Sequence, residues 1–356
     1  MLRLILLFIC LVGAVPAEAA QTKSLSQRIH RLDPRIQPSL KVNARDTRPL
    51  LVPLRQRPAW LKQAVKALAK EKKGTRLAVK TTVMLRGGQG PGWLAVIWGG
   101  KGVSPLLEIH KLGKDRLERV LTEPGDVLRF VEPTGQDVDG DGIPKLFVAQ
   151  THPGNAAIGQ GLRIFKLGET AREVTPQAEG RLVRAVQTAR LDGVTVVIAS
   201  DDEWYNFFAS CGECGPFIPL VYRWRDGAYV PACRDVPAYF DKHVRWLEDS
   251  LPRENSAAGR LETHMEQALT YLQAGWWQAG QRVFAETLTL VAAGRLVPED
   301  RANLAGKWAE AMRNDIGPAV SQASAHAASA CPLLETPPPT TMEYSDRLQS
   351  FGEALQ

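Results

Sequence analysis

The feature that most constrains the fold is a strand-turn-strand pattern that occurs three times, at intervals of about 50 residues. Each copy contains a glycine, an apolar strand, a variable loop, a second strand and a tight turn. The copies are residues 92–113, 142–168 and 192–227. The closest likeness is between Ile109-His-Lys-Leu-Gly113 and Ile164-Phe-Lys-Leu-Gly168. The repetition predicts a mainly β region of about three hairpins.

An acidic turn that contains two glycines leads into the middle copy. Its carboxylates are Asp137, Asp139 and Asp141, and the glycines allow the backbone angles of a tight wrap. A hard cation such as Ca²⁺ would relieve the repulsion between carboxylates that such a wrap brings together. An EF-hand is disfavoured because Val148 stands where that loop needs its bidentate Glu.

The turn and its strand resemble the calcium-binding turns of FG-GAP/VCBS-type repeats, whose pattern is Asp-x-Asp/Asn-Gly-Asp-Gly-x-x-Asp-Leu followed by apolar residues. The matching positions are Asp137, Asp139, Gly140, Asp141, Gly142 and Leu146. The resemblance covers residues 76–240 and implies one Ca²⁺, with ligands at Asp137, Asp139, Asp141 and Ile143. Lys145 replaces the last acidic ligand of the pattern, and a fixed positive charge competes with a metal. The alternative is a metal-free Asp/Gly hairpin turn.

The N-terminal residues have the pattern of a secretory signal peptide. Arg3 precedes an apolar run, and Ala17-Glu18-Ala19 supplies small residues at a cleavage position. We expect residues 1–19 to be removed and the mature protein to be periplasmic or secreted. No later stretch is apolar for long enough to span a bilayer, so no transmembrane segment is predicted in the mature chain.

Positive charge is concentrated near the start of the mature chain, where residues 21–86 contain 17 Lys and Arg but three acidic residues. Within residues 20–75, several prolines predict an extended arm, and apolar spacing from Trp60 to Leu68 predicts a short amphipathic helix. Such a helix can lie on anionic lipid or bind an acidic partner. The alternative is packing against the acidic remainder of the chain. Nucleic acid is not predicted as a partner, given export and no recognisable binding module.

The longest loop of the three copies, residues 201–216, is the predicted ligand-binding loop, because long loops on a rigid scaffold often carry binding residues. Its acids could accept hydrogen bonds from sugar hydroxyls while an aromatic ring stacks on the sugar. The residues concerned are Asp201, Asp202, Glu203, Trp204 and Tyr205. The alternative is that the aromatic residues form the loop's own small core.

Four cysteines follow the signal segment, and an exported protein is expected to use them as disulfides. They are Cys211, Cys214, Cys233 and Cys331. A zinc site at Cys211 and Cys214 would need two further ligands from the other cysteines or a histidine. A redox pair would need a thioredoxin-like context that this β region lacks.

After residue 240 the apolar period becomes helical, which predicts a helical region over residues 241–316 and a flexible tail over 317–356. Two runs around Gly275 resemble a tetratricopeptide helix pair. The predicted fold is α+β: a partial β-propeller-like or curved antiparallel sheet followed by helices.

The sequence predicts an exported, non-catalytic binding or structural protein of the cell envelope, with an envelope protein or glycan as its partner. One alternative is a hydrolase acting on envelope polysaccharide through Asp201, Asp202 and Glu203, although glycosidases need two carboxyl groups that face each other. A less favoured alternative is a thiol-disulfide protein that uses Cys211 and Cys214.

Overall fold

The computed structural model describes residues 52–335, apart from residues 54–55, 88–89, 139, 152–159, 192–193, 205–215, 298 and 327–330. The predicted signal peptide and most of the predicted arm lie outside these residues. So do Asp139, Tyr205, Cys211, Cys214 and residues 336–356. Among the helices of the described part of the chain, none is long and apolar enough to cross a membrane.

The described strands form three four-stranded antiparallel sheets, in each of which neighbouring strands follow one another along the chain. Sheet A contains β1 to β4, which are Ala78–Leu85, Trp93–Gly100, Val103–Leu112 and Leu117–Pro124. Sheet B contains β5 to β8, which are Val127–Phe130, Lys145–Thr151, Gln160–Leu167 and Ala171–Glu173. Sheet C contains β9 to β12, which are Val183–Leu191, Val194–Asp201, Pro219–Arg225 and Ala228–Pro231.

The predicted hairpins are the central strand pairs of the three sheets: β2–β3, β6–β7 and β10–β11. The prediction of an antiparallel β region followed by helices is therefore confirmed. The sequence pattern does not predict the outer strands of the sheets individually. β8 has only three residues, and β4 alternates between exposed and half-buried side chains, so neither produces a strong apolar run.

The central strand β2 of sheet A is buried on both faces, and its successive side chains point to opposite sides of the sheet. On β2, Ala95 and Ile97 pack in a cluster shared with sheet B. Val96 and Trp98 point the other way and pack with helix α1, Ala59–Glu71. An unbroken apolar run on this strand therefore requires one layer of structure on each side.

Sheet B lies between sheets A and C. Leu146 and Val148 of β6 pack against sheet A, whereas Phe147 between them packs against sheet C. On β10 of sheet C, Val197 packs towards sheet B, while Ile198 packs towards the C-terminal helices. The layers thus follow in the order α1, sheet A, sheet B, sheet C, C-terminal helices.

The C-terminal helices cover the outer face of sheet C. They are α2 Pro237–Ser250, α3 Ala257–Gln273, α4 Trp277–Ala292, α5 Ala305–Asp315, α6 Gly317–Ala325 and α7 Pro332–Glu335. Helices α3 and α4 approach closely at Gly280, where an added Cβ would lie 2.7 Å from the Leu272 side chain and 2.9 Å from the Ala268 carbonyl oxygen. A larger residue at position 280 would clash with α3, and this explains why the predicted helix pair has a glycine there.

Helices α6 and α7 lie in the stretch that the sequence predicted to be a flexible tail. Ala319, Val320 and Ala323 of α6 are buried in the helical core. Just before α7, Cys331 forms a disulfide with Cys233. The small residues that suggested a flexible segment allow close helix packing here, and the disulfide joins the end of the β region to the last helix.

The Cys233–Cys331 disulfide is expected to contribute to stability because its cysteines are 98 residues apart, so it constrains a long segment of the unfolded chain. Replacing both residues by alanine should lower the free energy of unfolding by about 3 kcal/mol. Urea unfolding under non-reducing conditions measures the change. The double variant with and without reductant is the control, since any further loss there comes from Cys211 and Cys214. A double variant as stable as the oxidised wild type would contradict the prediction.

Candidate functional site

The acidic turn wraps tightly before β6, as the sequence predicted. Gly140 and Gly142 both have positive φ angles, +76° and +70°. An oxygen of Asp137 accepts a hydrogen bond from the Gly142 N–H at 3.0 Å, and Asp141 Oδ1 accepts one from the Ile143 N–H at 2.9 Å. Side-chain to backbone bonds of this kind close the turn internally.

Two lysine ammonium groups contact Asp141. Lys145 Nζ lies 3.1 Å from Asp141 Oδ1, and Lys166 Nζ lies 2.6 Å from Asp141 Oδ2. Lys145 is fully buried. Burial opposes ionisation of Asp141, but hydrogen bonds from Lys166, the Ile143 N–H and Lys145, together with the charge of Lys145, outweigh it and lower the pKa of Asp141 to about 2.

The described donors of the turn do not fit Ca²⁺ in this arrangement. Both oxygens of Asp141 contact ammonium groups, and one oxygen of Asp137 is bonded to a backbone N–H. Ile143 could offer a cation only its carbonyl oxygen, and that oxygen lies 3.4 Å from Lys145 Nζ. Ca²⁺ takes about six to eight oxygen ligands. Within the described residues, no group of three His, Cys, Asp or Glu side chains is placed to hold a metal ion.

The first two acids of the predicted ligand-binding loop are buried and paired with arginines. Asp201 Oδ2 lies 2.5 Å from Arg181 Nη2, and Asp202 Oδ2 lies 2.9 Å from Arg184 Nε. Burial raises the pKa of Asp201 to about 6, against the opposing effect of the Arg181 charge. These pairs join the end of β10 to the segment that enters β9, so neither carboxylate is directed towards solvent.

The next two residues of this loop also make internal contacts. Glu203 Oε1 accepts a hydrogen bond from the Leu182 N–H at 2.7 Å. Trp204 is fully buried and belongs to the core of the C-terminal helices. Its ring is therefore not placed to stack on a sugar, and the core to which it belongs is that of the C-terminal helices and not one formed by the loop itself. Tyr205 lies outside the described residues.

The sequence signal for the two arginine partners was weak because Arg181 and Arg184 are about 20 residues from the acids they contact. Consecutive carboxylates at the end of a buried strand do require partners, since an unpaired buried charge is unfavourable. Only the pairing of β9 with β10, in which Arg184 lies opposite Ser200, identifies which cations are near.

The observed disulfide bears on the zinc site and the redox pair that were considered for Cys211 and Cys214. Cys233 and Cys331 are bonded to each other, so neither thiolate is available as a ligand for a zinc site at Cys211 and Cys214 in this structure. The redox alternative concerns Cys211 and Cys214 alone, and both lie outside the described residues.

A buried ionic network that sequence reasoning missed anchors the end of helix α1 to sheet A. Glu108 has no solvent exposure, and its Oε1 lies 2.8 Å from Lys72 Nζ and 3.4 Å from Arg119 Nε. Its Oε2 accepts a hydrogen bond from Trp98 Nε1 at 2.8 Å and lies 3.3 Å from His110 Nε2. The one indication of this network in the sequence is a Glu between Leu107 and Ile109 in an apolar strand, where a charged side chain would need partners.

The outer face of α1 carries exposed Lys62, Lys66 and Lys70, which we call the cationic stripe. They are four residues apart and so lie along one side of the helix. The opposite side, with Leu61 and Leu68, is buried against sheet A. In the described part of the chain, no acidic side chain forms an ion pair with the stripe. The predicted amphipathic helix thus uses its apolar face within the protein and leaves these charges in solvent.

Comparison with known proteins identified no relative: no family model, no curated protein and no solved structure matches the chain.

The Glu108 network predicts a pH-dependent contribution to stability. Burial opposes the charge of Glu108, but hydrogen bonds from His110, Lys72 and Trp98 and the charge of Lys72 lower its pKa to about 2. Because the pKa is lower in the folded state than in the unfolded state, the ionised group stabilises the fold above about pH 4. That contribution is lost as the pH falls towards 2.

Glu108→Gln should therefore lower the free energy of unfolding by about 3 kcal/mol at pH 7, as expected when a buried ion pair loses one partner. The difference from wild type should shrink as the pH falls from 4 towards 2. Denaturant unfolding across this range measures it, with Glu118→Gln on exposed β4 as the matched control. A difference that is the same at pH 3 and pH 7 would show that the charge of Glu108 is not responsible.

Proposed function

We propose that this is an exported, non-catalytic binding protein of the cell envelope, whose cationic stripe contacts a polyanionic glycan. The observation that carries the proposal is the division of α1 into two faces. Its apolar face packs on sheet A, and its opposite face presents Lys62, Lys66 and Lys70 to solvent. Helix α1 is itself an end layer of a stack of three sheets, so the stripe is held on a rigid support.

The spacing of the stripe favours a role in binding over a role in stability. Like charges four residues apart destabilise a helix by about 0.2–0.5 kcal/mol per pair. The stripe contains two such pairs, Lys62 with Lys66 and Lys66 with Lys70. Ion pairs that would offset this repulsion are present nearby, as between Glu71 and Arg119, but not at the stripe within the described residues. An external anion would remove the repulsion.

A polymer with repeated negative charges fits this surface better than a membrane. A helix that binds at the membrane interface inserts its apolar face among the lipids. The apolar face of α1 is already covered by sheet A, because Leu61 and Leu68 are buried there. The remaining contact is purely electrostatic, which suits a chain of carboxylate or phosphate groups in water.

Export places the proposed partner in the envelope. This part of the proposal depends on the signal-peptide pattern of residues 1–19, in which Arg3, an apolar run and Ala17-Glu18-Ala19 occur in the expected order. Glycans that carry repeated carboxylate or phosphate groups are the class of envelope polymer that a lysine stripe would bind.

We also propose that sheets A, B and C are copies of one repeated unit of the FG-GAP/VCBS type, arranged as a partial propeller. The support is that each sheet is a four-stranded antiparallel meander and that consecutive sheets pack face to face. The short echo between residues 109–113 and 164–168 falls at the end of the third strand in sheets A and B, as a repeat would require.

Neutralising the stripe tests the proposed function. The variant Lys62→Gln/Lys66→Gln/Lys70→Gln should bind a polyanionic glycan, polygalacturonate, about tenfold more weakly or worse, because each 1.4 kcal/mol of lost attraction is a factor of ten. Isothermal titration at low and at physiological salt measures the affinity, and the wild-type affinity should fall as salt screens the charges. The seven Lys and Arg of residues 21–50 are unchanged, so the comparison isolates the stripe.

The control is Lys101→Gln/Lys114→Gln/Lys307→Gln, which removes the same charge from exposed positions elsewhere. It should retain nearly wild-type affinity. Equal losses in both triple variants would show that only net charge matters and would contradict a site on α1. Binding to vesicles of anionic phospholipid without binding to the glycan would replace the proposed partner by a membrane.

A further inference from the structure

We propose that the ammonium group of Lys145 occupies the cation position of the acidic turn, so that the turn is built to work without a metal ion. This inference does not depend on the proposed function. It concerns which group balances the carboxylates of the turn, and it explains why a sequence that resembles a calcium-binding turn has a lysine where an acidic ligand is expected.

The contacts of Lys145 identify the position. Its Nζ lies 3.1 Å from Asp141 Oδ1 and 3.4 Å from the Ile143 carbonyl oxygen. Both residues belong to the set expected to bind Ca²⁺. Lys145 is fully buried, so its ammonium group is held among these oxygens and not in solvent. A buried charge requires such partners, because desolvation without them is strongly unfavourable.

A second lysine adds a further positive charge at Asp141. Lys166 lies opposite Lys145 in the pairing of β6 with β7, and its Nζ is 2.6 Å from the other oxygen of Asp141. The carboxylate of Asp141 is thus contacted by two positive charges, one at each oxygen. Among the described residues, the buried Oδ1 of Asp137 has no hydrogen-bond partner, but one oxygen falls far short of the ligand number that Ca²⁺ requires.

The same two ammonium groups also contact sheet C. Lys145 Nζ and Lys166 Nζ each lie 4.9 Å from the centre of the Trp224 ring, and Trp224 is on β11. A cation over an aromatic face is attracted by the ring, more strongly where water is excluded. The lysines therefore balance the charge of Asp141 and also hold the turn of sheet B against the neighbouring sheet. A metal ion bound only by oxygens of the turn would supply the first of these effects alone.

Thermal unfolding with and without Ca²⁺ tests the inference. The wild-type protein should have the same Tm in millimolar Ca²⁺ and in chelator, because a ligand that does not bind the native state leaves Tm unchanged. Lys145→Asp replaces the ammonium group by a further carboxylate. This variant should have a lower Tm in chelator and should regain about 5 °C or more in Ca²⁺.

Lys80→Asp, an exposed change of the same charge on β1, is the matched control and should show no response to Ca²⁺. A Tm of the wild type that rises by several degrees in Ca²⁺ would overturn the inference. So would a folded Lys145→Asp protein with the same Tm in Ca²⁺ and chelator.

If Lys145→Asp does not fold, Lys145→Met decides the question. This substitution removes the charge and leaves an unbranched side chain that is one heavy atom shorter, and it should lower Tm in both solutions, much more than Lys80→Met does. A Tm equal to that of the wild type would show that the ammonium group is not needed and would also overturn the inference.

Discussion

The constraint on which the structure depends is that the central strands are apolar on both faces. All six residues from Trp93 to Trp98 on β2 are buried, whereas an antiparallel sheet commonly has one face in water. Every sheet of this kind must be covered twice. Stacking the sheets satisfies this requirement inside the stack, and α1 and the C-terminal helices satisfy it at the two ends. The helices are therefore necessary end layers and not appendages.

Apolar faces alone do not determine which layer packs on which, and the buried charges supply that information. Glu108 contacts Lys72 between α1 and sheet A, and Lys145 contacts Trp224 between sheets B and C. A buried charge that loses its partner costs about 3–5 kcal/mol. The Glu108–Lys72 pair thus penalises a wrong placement of α1 on sheet A more than it stabilises the right one.

The sequence predicted those parts of the structure that depend on local pattern. Short apolar runs between turn residues located the central hairpins, and the helical period located α3 and α4. Contacts between distant segments could not be predicted in this way. The pairing of Asp201 with Arg181, the burial of Trp204 in the helical core and the contact of Lys145 with Trp224 all depend on how layers are stacked. Considered locally, Asp201 and Trp204 suggest a sugar site, and the acidic turn before Lys145 suggests a calcium site.

The lysines of α1 and of the turn after it have two different roles, which depend on the side of the helix that they occupy. One is paired inside the protein, and the others face solvent. Lys72, just after the helix, reaches inwards to Glu108 and fixes the helix end on sheet A. Lys62, Lys66 and Lys70 follow the opposite side of the helix and stay in solvent. Since the apolar face and Lys72 both hold α1 against the sheet, the helix cannot turn to bury the exposed lysines without breaking these contacts. The orientation of the cationic stripe is therefore a consequence of the same packing that closes the end of the stack.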